Sequence, residues 1–180
     1  MEPLVRAYPS AIEVEGDGRT IVGLLAPYDQ WAEVDDGFGP YLESFARGCF
    51  KRATTGRAQY LRVQLEHNGH WVGRGNAWRE SERGLEAELR LDDTEAGREA
   101  AFKVHDKQTP GLSIAFIPGR SENTTHEGRK ALVRHSVRAL HHVALCQTPA
   151  YTGALVESMR SRRADRVAYW EQWTERVKRV

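Results

Sequence analysis

Gly111-Leu112-Ser113-Ile114-Ala115-Phe116 places large apolar side chains at every second position, with only small residues between them. That alternation predicts a β-strand with Leu112, Ile114 and Phe116 on one face and Gly111, Ser113 and Ala115 on the other. The small neighbours leave room around the Ser113 oxygen. A serine hydroxyl is a weak nucleophile at neutral pH, and it needs a base within hydrogen-bond reach, normally an imidazole oriented by a third group. His67, in Leu65-Glu66-His67-Asn68, is the natural base, and His142 lies downstream. Two plainer readings stand beside this one. A serine in an apolar strand is by default a small core residue bonded to backbone, and His67 ahead of Asn68-Gly69 falls at a strong turn signal.

Working outward, the Pro110-Gly111 turn feeds straight into the serine strand. Ahead of it, Asp92-Asp93-Thr94-Glu95 predicts a helix start, with Asp92 as N-cap and Glu95 in capping-box spacing, and the helix runs to about Lys107. Gly84 to Leu91 sets Leu85, Ala87, Leu89 and Leu91 against Glu86, Glu88 and Arg90, the pattern of a half-buried strand. Strands are also predicted at Tyr60 to Leu65, Ala11 to Val14, Arg19 to Ala26 and Tyr41 to Phe45, with a Gly/Asp/Pro loop over 35–40 and a short helix starting in Phe50 to Thr55. On the far side, Ser121 to Lys130 is a polar hairpin tip or loop, and Val133 to Cys146 reads as one long strand. Strict alternation puts Val137, Ala139, His141, Val143 and Leu145 on one face of it and Arg138, Leu140, His142, Ala144 and Cys146 on the other. Only one of His141 and His142 then faces Ser113, and register favours His142.

Several segments follow one another in a recognisable order: Gly23 to Ala26, Glu43 with Gly48-Cys49-Phe50, Leu65-Glu66-His67-Asn68, Val72-Gly73-Arg74-Gly75, Gly84-Leu85, Gly111 to Phe116, and Pro149-Ala150. In that order and spacing the chain, over roughly residues 20 to 157, resembles the HK97-type prohead (procapsid maturation) serine proteases of tailed bacteriophages, which are related in fold to the herpesvirus assemblins. The resemblance implies a mainly β fold with helices (α+β): a closed β-barrel core surrounded by a few helices. It implies a serine endopeptidase that cleaves scaffold or capsid-protein segments, and itself, inside the assembling procapsid in the host bacterial cytoplasm. It matches Ser113 to the family's nucleophile and His67 to its base, and gives Glu43 a supporting role.

The third position departs from the family pattern. Where the family usually reads Glu-Val-Ser-Leu-Val before the Pro-Ala pair, this chain has His142-Val143-Ala144-Leu145-Cys146. The assemblins use a Ser-His-His triad, so an imidazole is chemically tolerable there. A neutral His142 can accept the His67 N–H and hold its tautomer, but it offers no full negative charge to the imidazolium formed when Ser113 loses its proton. Catalysis is then expected to be slower than with a carboxylate, and to fall in acid as the histidines protonate around ~6.5. The substitution also keeps a second reading open, a non-catalytic capsid assembly or scaffold factor retaining the protease fold. Arg120 and Arg138 are candidate oxyanion-hole donors on type alone.

Composition agrees with one domain large enough to bury its own core: 180 residues, with 26 basic and 25 acidic side chains for a net charge of +1. That balance gives no global attraction for nucleic acid. The two cysteines, Cys49 and Cys146, form no Cys-x-x-Cys pair, and with no leader-like segment after Met1 the chain reads as intracellular and reduced. No metal or other cofactor is expected, since His67 and His70 have no second pair to complete a site. No apolar run approaches the ~18–20 residues a membrane span needs. Residues 1–157 are read as the protease domain and 158–180 as a basic amphipathic helix or tail, in which Ala164, Val167, Trp170 and Val177 recur at helical spacing among arginines. A homodimer is expected by resemblance to the assemblins, with capsid or scaffold protein as the other partner.

Overall fold

The computed structural model describes residues 4–8, 12–15, 17–66 and 70–147. In chain order these form β1 (Leu4–Tyr8), β2 (Ile12–Glu15), β3 (Thr20–Pro27), β4 (Ala32–Val34), β5 (Tyr41–Phe45), β6 (Arg62–Leu65), β7 (Trp71–Glu80), β8 (Gly84–Leu91), α1 (Glu95–His105), β9 (Gly111–Pro118), β10 (Ser121–His126), β11 (Arg129–Arg134) and β12 (Val137–Cys146). Two single 3-10 turns, Ala53–Thr55 and Ala58–Tyr60, connect β5 to β6. The expected C-terminal helix over 158–180 lies outside the described residues.

The strands build two sheets. Eight of them run in the order β1-β9-β12-β6-β7-β8-β3-β2, and four in the order β10-β11-β5-β4. The large sheet curls far enough for β3 to meet β9 across the core, yet it does not close into the expected barrel. Its two ends are β1 and β2, which pair with β9 and β3 respectively rather than with each other. These end strands are short, five and four residues, and four other strands leave for the second sheet, so the curled sheet ends in two edges instead of a continuous ladder.

One apolar core fills the concavity. Ile21 and Leu25 of β3, Leu85, Ala87, Leu89 and Leu91 of β8, and Leu112, Ile114 and Phe116 of β9 are all buried in it. The second sheet adds Phe45, which meets Phe50 at 4.9 Å and the edge of Phe116 at 5.4 Å between ring centroids. Helix α1 packs on β7 and β8 through Gly97, Ala100, Ala101 and Val104. Its N-cap is Thr94, whose hydroxyl accepts from Gly97 N at 3.1 Å, not Asp92. Asp92 still belongs to the sheet: its N–H donates to Val72 O at 2.9 Å and its carboxylate pairs with Arg74. The capping-box spacing started two residues too early because it could not register that tie.

β7 carries no alternation that would announce it, and its glycines explain why. A Cβ on Gly73 would lie 2.4 Å from Arg90 O, and one on Gly75 2.3 Å from Ala58 O. The strand is squeezed between β8 and the 58–60 turn, and Gly75 N donates to Leu61 O at 2.7 Å. The expected helix over Phe50 to Thr55 reduces to the Ala53–Thr55 turn, which the Trp78 indole N–H ties to β7 by donating to Thr54 O at 3.0 Å. The single long strand expected over Val133 to Cys146 is two strands in different sheets. His135 N and Ser136 N both donate to Arg120 O, at 2.9 and 3.1 Å, so the ladder breaks there and the chain crosses from β11 to β12.

Glu43 receives a physical role. Its fully buried carboxylate accepts from Arg134 Nε at 2.6 Å, joining β5 to β11, and Arg134 also donates to Ser121 Oγ and Tyr41 OH. The guanidinium lies 5.8 Å from the Phe116 ring centroid, directly under the serine strand.

Candidate active site

Ser113 lies on the face of β9 opposite the core residues Leu112, Ile114 and Phe116, and is fully buried. In the antiparallel β9–β12 ladder it stands opposite Ala144, and Ala115 stands opposite His142. Ser113 and His142 therefore share the non-core face of adjacent strands, one diagonal step apart. In a regular ladder such a step separates the residues by roughly 7–8 Å, the span one intervening imidazole bridges.

The base expected for that gap, His67, lies outside the described residues. Its flanks are placed. β6 runs parallel to β12 with Leu65 beside Leu145, and Glu66 N donates to Leu145 O at 2.8 Å. Glu66 has a left-handed backbone, φ 55°, and its carboxylate accepts from Gln147 N at 2.7 Å. The chain returns with Leu65 N donating to His70 O at 3.2 Å. Glu66, immediately before His67 in the chain, is thus tied to the end of β12, just past Ala144, the residue opposite Ser113.

His142 does not stand alone. Leu140 pairs with Phe116 and His142 with Ala115, so His141 is an extra residue in a β-bulge. The two imidazoles meet, Nδ1 to Nδ1, at 2.8 Å. The bulge also reverses the expected face of Leu140, which packs on the core. The Trp71 and His142 rings meet in a T-shaped contact, centroids 6.1 Å apart, and the Arg62 guanidinium lies 4.9 Å over the Trp71 ring. Gln64, buried, stands opposite Ala144 on the same face.

The sequence profile of the caudovirus prohead serine proteases matches residues 10–168. The chain belongs to that family. The bacteriophage T4 capsid assembly protease has the same fold, with a TM-score of 0.55 at 9% identity over 79% of this chain and 97% of that one. No curated protein matches the sequence.

For a prohead serine protease, four neighbours of the site escaped the sequence reading: Arg62, Gln64, Trp71 and His141 as a partner of His142. Arg62 and Gln64 alternate with Val63 in β6, so their common face was legible, but which strand they border was not. The two arginines considered for the oxyanion hole are remote from Ser113. Pro118 pairs with Val137, about 17 Å along β9 from Ser113 at roughly 3.3 Å per residue, and Arg120 and Arg138 lie at that far end. Among the described residues, no three His, Cys, Asp or Glu side chains gather as a metal site.

Cys146 lies on the Ser113 face and is buried, and burial followed by the nearby Glu66 carboxylate pushes its thiol up to about 12. Cys49, also buried, is pushed up further, by burial first and then by Glu80. Both are therefore protonated at neutral pH and unsuited to act as nucleophiles. The native protein is expected to take up no iodoacetamide at pH 7.5, and two equivalents after unfolding in guanidinium, measured by intact mass. Rapid labelling of Cys146 in the native state would contradict its assigned environment.

Proposed function

We propose that the chain is a serine endopeptidase of procapsid maturation in which Ser113 is the nucleophile, His67 the general base and His142 the group that orients His67. The observation that carries it is the placement of Ser113 and His142 on one face of adjacent strands, beside the anchored flanks of the His67 connection. Ser113 Oγ attacks the scissile carbonyl and passes its proton to His67, which later delivers it to the leaving amine. Water then hydrolyses the acyl-enzyme with His67 again as base. His142, accepting the other N–H of His67, holds the tautomer that this relay requires.

The substrates are the scaffold or capsid-protein segments enclosed with the enzyme in the procapsid, and the enzyme's own chain, and the working unit is a homodimer. A fluorophosphonate probe tests the chemistry without a known cleavage site. Covalent labelling is expected at Ser113 and is expected to disappear in Ser113→Ala, His67→Ala and His142→Ala variants that keep their thermal midpoints. A folded wild-type chain that takes up no probe, in dilute or concentrated solution, favours instead a non-catalytic assembly factor, the reading that the imidazole in place of the family's carboxylate keeps open.

A further inference from the structure

We infer that His141 is a positioning residue: through the β-bulge it accepts the Nδ1–H of His142 and so fixes the tautomer in which His142 can serve His67. This inference rests on the proposed triad and extends it by one member.

Two neutral imidazoles whose Nδ1 atoms lie 2.8 Å apart must divide the roles, one donating and one accepting. If His141 donates, His142 Nδ1 is the acceptor and its Nε2 carries the hydrogen. That nitrogen then cannot accept from His67, and the relay fails. If His142 donates, its Nε2 keeps a lone pair and can accept the His67 N–H. Only the second arrangement makes His142 an orienting group.

Exposure points the same way. His141 is exposed whereas His142 is 8% exposed, so His141 can turn its own Nε2–H toward water at little cost while the buried ring spends its hydrogen on a protein acceptor. The Trp71 ring packs edge to face with the His142 ring. Donation to His141 also raises the basicity of the opposite nitrogen, since hydrogen bonds in a chain polarise one another. When His67 becomes an imidazolium, a His142 backed in this way is a better acceptor than an isolated imidazole. The second histidine supplies part of what the absent carboxylate would have given.

The bulge is what permits this. In an unbroken strand, adjacent side chains point to opposite faces and two neighbouring histidines do not meet. The extra residue at position 141 re-aims one ring toward the other.

The test is the saturation kinetics of fluorophosphonate labelling of the full chain, with a substitution series at position 141. His141→Ala is expected to lower the maximal labelling rate roughly 10- to 100-fold, with the half-saturating probe concentration unchanged. His141→Asp, an acceptor, is expected to restore the rate or exceed it, whereas His141→Lys, a donor only, is expected to fall at least as far as Ala. Nitrogen-15 shifts of the His142 ring should report the Nδ1–H tautomer in wild type and in His141→Asp. A purely space-filling role would not separate Asp from Lys. If His142→Ala abolishes labelling while His141→Ala leaves the rate unchanged, the inference is overturned and the triad stands. If His142→Ala also labels normally, the triad reading itself fails, and this inference with it.

Discussion

Ser113→Ala is expected to abolish proteolysis while leaving the fold intact. The side chain occupies the non-core face of β9 between backbone partners Ala7 and Ala144, so alanine fits where serine does and leaves only a small void. The stability change should stay near ~1 kcal/mol, the typical net value of one hydroxyl hydrogen bond. Activity is another matter, because without Oγ no acyl-enzyme can form. Loss of a serine nucleophile typically removes on the order of 10⁶-fold of kcat, leaving what binding and the oxyanion donors supply. Co-expression with the cognate capsid and scaffold proteins gives the readout. Wild-type chain should yield shortened substrate bands and the variant full-length ones, with matching thermal midpoints for the two proteases. Particle maturation that proceeds unchanged with a folded Ser113→Ala chain would remove the endopeptidase reading.

Breaking the Glu43–Arg134 pair is expected to destabilise the protein strongly. The two side chains are 0% and 7% exposed, and removing either leaves the other charge buried without its partner. Such half-pairs typically cost ~3–5 kcal/mol, a large share of the roughly 5–15 kcal/mol that holds a domain folded. Glu43→Ala and Arg134→Ala should each lower the urea midpoint accordingly. The joint replacement Glu43→Leu with Arg134→Met should recover much of the loss, because the desolvation penalty of both ions disappears together. Single variants that lose less than ~1 kcal/mol would show the pair to be water-screened rather than buried. Because the guanidinium lies under Phe116, damage here is also expected to reach the serine strand, so probe labelling should fall along with stability.

The strands whose side chains alternate cleanly were legible in advance. β8 and β9 lie where Leu85 to Leu91 and Leu112 to Phe116 placed them, with those residues buried in the core, because a period of two is a property of each strand alone. β7 was not legible, since its glycines answer to Arg90 and Ala58, residues close in space but not in sequence. The helix start moved from Asp92 to Thr94 for a similar reason: Asp92 is held by a backbone bond to Val72. The family motifs led to the expectation of a mainly β, closed-barrel fold; the β content is there, but closure depends on whether β1 and β2 pair with each other, and they do not.

At the site, the division is sharper. The sequence by itself determined that Ser113 alternates with Leu112, Ile114 and Phe116 and shares its face with small residues, and that the chain follows the prohead protease order of motifs; the family resemblance added the expectation of an imidazole, His142, where a carboxylate is usual. Those facts depend on residue type and local period. Only the tertiary structure decided that His142 lies diagonally from Ser113, that Arg62, Gln64 and Trp71 border it, and that His141 meets His142 instead of facing away. The physical reason is the bulge in β12: it arises from how β12 is hydrogen-bonded to β9, and a register between strands is set by partners some thirty residues apart, which no local pattern records.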